Sequence, residues 1–181
     1  MDVDSTLIDL IYDASIRAFR DCREEHPSEH VFAFALSTPD DAIYVSASPN
    51  TVESHQRRLR ERQLDPESPY GLDAKWGPWE WENEYIHPGH FTVVDDRLKR
   101  MYDDRHENDF SGFRRTVLDS MVAALVKLRE HAAINNNGGQ SDIILFATIY
   151  DSFSAEAMHR RSAELLNCPE AVTELLAVIG G

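Results

Sequence analysis

The stretch Val31-Phe32-Ala33-Phe34-Ala35-Leu36 decides how this chain folds. It is apolar at every position, so both of its faces should meet core. Its length, its aromatic content and the Pro39-Asp40-Asp41 break that follows it read as a buried strand rather than a helical turn. The pattern resumes at Ala42-Ile43-Tyr44-Val45-Ser46-Ala47, which reads as an antiparallel partner. Far along the chain, Ile143-Ile144-Leu145-Phe146-Ala147-Thr148-Ile149-Tyr150 is a second buried strand, and it pairs most naturally beside residues 31–36. A strand with two apolar faces needs cover on both sides. Helices are the available cover.

Working outward, residues 7–19 form an amphipathic helix with Leu7, Ile11, Ala14 or Ser15, and Ala18 on one stripe and Ile8, Tyr12 and Phe19 beside it. Asp4 or Ser5 caps its first free amides, and His26-Pro27-Ser28 ends it. After Ser48-Pro49, Asn50 reads as the cap of a charged helix to about Arg62, with Glu53 in the capping-box position. Phe91-Thr92-Val93-Val94 is ambiguous, and Asp95 or Asp96 is a cap for a short helix reaching Tyr102. The longest helix signal follows a polar stretch at 103–109. There Phe113, Val117, Met121, Ala124 and Leu128 recur at spacings of three and four, and Asp109 or Ser111 starts it. Asn135-Asn136-Asn137-Gly138-Gly139 stops it. After the late strand, Asp151-Ser152-Phe153-Ser154 caps a helix over 155–166, and Pro169 begins a last one. The order predicts a single α+β domain spanning 1–181, with a small, mainly antiparallel sheet covered by helices.

Residues 64–89 differ in kind. They hold Pro66, Pro69, Gly71, Gly77, Pro78, Pro88 and Gly89 together with all three tryptophans, Trp76, Trp79 and Trp81. Large aromatics in a turn-rich segment usually plug a loop onto the core; the alternative is an exposed platform for a partner. In Trp79-Glu80-Trp81-Glu82-Asn83-Glu84-Tyr85 a short strand would put aromatic and acidic residues on opposite faces, and a helical turn is the other option.

Charge narrows the classes of partner. The chain has 18 Lys and Arg against 32 Asp and Glu, a formal net charge of −14. Such a surface repels nucleic-acid phosphates and anionic membranes and attracts a basic protein. No apolar run approaches the ~20 residues that cross a bilayer, and the acidic Met1-Asp2-Val3-Asp4 start is unlike a signal peptide. A cytoplasmic protein is expected, with Cys22 and Cys168 as separate thiols.

Catalytic motifs are wanting. There is no Gly-x-Ser-x-Gly elbow, and Gly138-Gly139 precedes a strand instead of following one as a phosphate loop would. Asp103, Asp104, Glu107 and Asp109 lack the spacing and glycine of a calcium loop. Asp151 ends a buried strand, where either an active acid or a helix cap belongs. The one local cluster with metal-ligand character is His87-Pro88-Gly89-His90, with Glu84 before it and Asp95 after. No cofactor is expected.

Phe32-Ala33-Phe34-Ala35-Leu36, Ser48-Pro49-Asn50-Thr51-Val52-Glu53, Trp76-Gly77-Pro78-Trp79-Glu80-Trp81, and Tyr150-Asp151 with Ser162 and Leu165-Leu166-Asn167-Cys168-Pro169 resemble the bacterial family called domain of unknown function 4303. The resemblance covers nearly the whole chain and brings no activity with it. Its members are similar in setting to immunity proteins of bacterial toxin systems. That implies a non-enzymatic binding protein that neutralises a cognate toxin, a basic nuclease for example, by blocking its active surface. The expected contact residues are Trp79 or Trp81 as anchor with Glu80, Glu82, Glu84, Asp95, Asp96, Asp103 and Asp104 as charges. The alternatives are a metal-assisted hydrolase using His87, His90 and a nearby carboxylate, and a non-catalytic adaptor module.

Overall fold

A computed structural model describes residues 4–105, 109–131, 134 and 143–179. The chain is an α+β domain around a three-stranded mixed sheet. Strand β1 (Val31–Pro39) lies at its centre, antiparallel to β2 (Ser46–Thr51) and parallel to β3 (Ile144–Tyr150). Every β1 residue from Ala33 to Thr38 is buried, as its unbroken apolar run requires. The pleat sends alternate residues to opposite layers. Phe34 and Leu36 join one core with helices α1 (Ser5–Glu25), α4 (Thr92–Asp104) and α5 (Phe110–Glu130); Ala33 and Ala35 join another with Trp76, Trp81 and Phe146. Phe19 of α1 meets Phe34 edge-on at 5.9 Å between ring centroids. Burying each such ring contributes roughly 2–3 kcal/mol.

The pairing of β3 beside β1 and the helices over both faces agree with the sequence. One strand does not. β2 occupies residues 46–51 and not 42–47, because the connection from β1 turns at Ala42, whose φ of 56° is left-handed. The polar string Ser46-Ala47-Ser48-Pro49-Asn50-Thr51 then forms the ladder, and Pro49 is tolerated because β2 is an edge. Only one of the two strand pairs is antiparallel, so the sheet is mixed.

Local signals explain the helix boundaries. Asp4 accepts the Leu7 amide and caps α1, which ends at Glu25. Helix α2 (Val52–Arg62) starts from Thr51, one residue later than expected. Thr51 and Ser54 form a reciprocal capping box, Asn50 accepts the Ser54 hydroxyl, and Glu53 instead reaches back to the His30 backbone and ring. Segment 64–89 contains a short helix, α3 (Pro69–Trp76), capped by Ser68, and two 3₁₀ turns at Pro78–Glu80 and Pro88–Phe91. Helix α4 begins at Thr92, which places Asp95 in its first turn and not at its cap. Asp109 does precede α5. The Asn135–Gly139 stop lies outside the described residues.

Strand β3 is the other edge, and helix α6 (Ala155–Leu166) closes it with side chains. Asn167, just past α6, accepts the Leu145 amide at 2.9 Å and donates to the Leu145 carbonyl at 2.8 Å. One turn earlier on α6, Ser162 does the same for the amide and carbonyl of Ala147. A last helix, α7 (Pro169–Ile179), packs beside α6. Ser154 holds the N-cap position of α6 without a side-chain cap bond; its amide donates to the Ser152 hydroxyl, and the Ala155 amide donates to the Ser152 carbonyl. Asp151, with φ 51°, occupies the turn itself, so the cap expected of it is not made.

Candidate functional site

The aromatic segment divides into plug and platform. Trp81 is 4% exposed, lies edge-on to Phe146 at 5.9 Å, and its indole N–H donates to the Lys75 carbonyl. Trp76 is buried with its ring edge-on to Phe32. Neither can anchor a partner, so the expectation for Trp81 as a surface contact is withdrawn. Trp79 is different: it is 43% exposed, and its indole lies against Gly77 so closely that a Cβ there would stand 2.8 Å from the ring. No strand forms at 79–85, so aromatic and acidic residues do not alternate across two faces.

Trp79 forms one lip of a cleft of about 200 Å³ lined by Asp73, Trp76, Gly77, Thr148, Ala155, Glu156, His159 and Val178. Elements from across the fold build it: α3 and the following turn, β3, and helices α6 and α7. His159 stacks on Phe146 at 4.1 Å between ring centroids. Its ring is almost wholly buried, and burial pushes its pKa down to about 3, so it is neutral. The His159 Nε2 and the Trp76 indole N–H, both buried, have no partner among the described residues. Buried polar atoms are ordinarily satisfied. Burial first, and Glu80 second, raise the Asp73 carboxyl. No sequence signal pointed to His159, because a lone histidine on an amphipathic helix has no local pattern.

The nine expected contact residues do not form one surface. Glu80 is held by Arg58 and Arg62, at 3.0 and 2.7 Å, while Arg57 bridges Glu82 to Glu29, all from the charged face of α2. Glu84 is half-buried, its carboxyl raised by burial and by Glu80. Asp95, Asp96, Asp103 and Asp104 ride on α4, whose buried residues Val94 and Leu98 belong to the core on the opposite side of the sheet from Trp79. Asp95 accepts the Val45 amide at 3.4 Å, and burial raises its carboxyl. Asp96, Asp103 and Asp104 are exposed.

His87 and His90 do converge, although not with the carboxylates next to them in sequence. The turn Pro88–Phe91 docks on the last turns of α1, where His90 Nε2 lies 2.6 Å from Asp21 Oδ2 and His87 Nε2 lies 3.3 Å from Glu25 Oε2. The bond from His90 holds the Asp21 carboxyl below its usual value. Asp95 bonds elsewhere, at Val45, and Glu84 is not part of this group. Cys22 is buried and Cys168 exposed, both as free thiols.

The chain belongs to the family described as "Domain of unknown function (DUF4303)", whose model matches residues 11–168. No curated protein and no solved structure matches it. Among the described residues, no helix is long and apolar enough to cross a membrane.

Proposed function

We propose that this protein is a cytoplasmic immunity protein, which binds a basic bacterial toxin and covers its active surface. The observation that carries the reading is the Trp79 cleft: a half-exposed tryptophan on the lip of an apolar slot, rimmed by Asp73 and Glu156, in a chain of net charge −14. An aromatic anchor beside a pocket is the usual centre of a protein interface, and the acidic excess steers a basic partner to it. The partner's apolar side chain enters the slot, and its lysines or arginines meet the rim carboxylates. The family's similarity in setting to immunity proteins supports the toxin as that partner. Such neutralisation is stoichiometric and requires no chemistry from this chain.

The test is co-expression with the product of the neighbouring gene. Relief of toxicity together with co-purification is the expected result. Replacing Trp79 by Ala should weaken the complex by roughly 2–4 kcal/mol, about 30-fold to 1000-fold. A harmless neighbour that forms no complex would overturn the reading. An affinity indifferent to Trp79→Ala would remove the cleft from it.

A further inference from the structure

We propose that Asp21, His87 and His90 form a binding site for a divalent transition-metal ion of the zinc class, with Glu25 within reach as a fourth ligand. The inference is independent of the toxin-binding reading and concerns the other side of the sheet, where α1 and the turn that carries the histidines pack against each other.

Three donor atoms, one from each of Asp21, His87 and His90, lie within 4.8 Å of one another. Ligands held about 2.0–2.1 Å from a tetrahedral ion stand roughly 3.4 Å apart. The spacing found here, from 2.6 Å for His90–Asp21 upward, brackets that value, so small side-chain rotations suffice to admit an ion. The two carboxylates are placed by helix geometry: Asp21 and Glu25 are one turn apart and share a face of α1. The two imidazoles are placed by the turn. Pro88 and Gly89 fold the chain back so that the His90 amide bonds the His87 carbonyl at 2.9 Å, and the rings come to 5.7 Å between centroids.

The spacing in sequence thus hid the site, because half of its ligands come from a helix more than sixty residues earlier. All four side chains are partly exposed, which leaves a path for the ion and room for a water ligand. Cys22, next to Asp21, is buried in the core and is not a ligand. Two imidazoles with carboxylates select zinc, cobalt, nickel or copper over magnesium and calcium, which prefer oxygen alone. Bound there, the ion would pin the end of α1 to the turn ahead of α4.

The experiment uses the full chain, stripped with a chelator and dialysed, then titrated with zinc chloride by calorimetry and with cobalt(II) chloride in the visible spectrum. Expected are one equivalent bound with micromolar affinity, ligand-field bands from bound cobalt, and a higher melting temperature in zinc. His87→Gln, His90→Gln and Asp21→Asn should each weaken zinc by at least about tenfold, while His30→Gln, on a histidine paired elsewhere with Glu53, leaves it unchanged. Circular dichroism of each variant confirms that it is folded. Failure of the wild-type chain to take up an equivalent of zinc would overturn the proposal. So would zinc uptake that survives loss of both histidines in a folded double variant, or magnesium bound as tightly as zinc.

Discussion

Acidification should destabilise this protein through His159 well before the carboxylates titrate. The native ring stays neutral because burial lowers its pKa from 6.5 to about 3. In the unfolded chain it titrates normally, so between these two values the unfolded state binds a proton that the native state refuses. Stability from this group is therefore complete above the unfolded pKa and is lost as pH falls through it. At about pH 5.5 the unfolded ring is roughly nine-tenths protonated, and the loss relative to about pH 8 is ~1.4 kcal/mol. The figure is set by the unfolded value, since the native ring is neutral throughout this range. Urea denaturation at the two pH values measures it. His159→Leu keeps apolar bulk against Phe146 and removes the titration, so its stability should change by ~1.4 kcal/mol less than wild type over the same interval. Shared titrations cancel in that difference. Equal pH dependence in the two proteins would refute the buried neutral histidine.

The last two tryptophans of the aromatic segment, Trp79 and Trp81, should separate sharply in stability. Trp81→Ala opens a cavity against Phe146 and should lose roughly 3–5 kcal/mol, read from the urea midpoint. Trp79→Ala, at a half-exposed position, should lose under about 1 kcal/mol; a loss as large as that of Trp81 would make Trp79 structural. Asn167→Leu leaves the amide and carbonyl of Leu145 without their side-chain partner and should lose roughly 2–3 kcal/mol by the same assay. Under the proposed immunity function, the affinity for the partner toxin should fall steeply with added salt, since an acidic surface would supply the attraction. An affinity indifferent to salt would remove charge steering from the mechanism.

The central strand was legible because burial on both faces demands apolar residues at every position, and no helix of that length would. The cap at Asp4, the start of α5 just after Asp109 and the stripe from Phe113 to Leu128 follow from equally local rules. β2 was not legible. An edge strand rich in Ser and Asn, interrupted by Pro49, takes its stability from the ladder to β1 and carries no hydrophobic pattern. The charges of Glu80 and Glu82 read as available for a partner, because the arginines that neutralise them sit some twenty residues earlier on α2. Both candidate sites share this limit. The Trp79 cleft draws on three separated stretches of chain and the histidine cluster on two, and such juxtapositions exist only once the fold is made.

The side-chain seal along β3 has a consequence for how this scaffold can evolve. Asn167 and Ser162 occupy the outward backbone groups of Leu145 and Ala147, and on the far edge Pro49 has no N–H to offer while Ile86 takes the Ala47 carbonyl. Exposed strand edges otherwise template pairing with other chains. At these positions a foreign strand cannot add to the ladder by backbone registration, whether it belongs to a partner or to another copy in an aggregate. Recognition is left to side chains on turns and helices, which can be exchanged without disturbing the backbone. A lineage built on this frame can therefore change what its turns and helices recognise while keeping its architecture.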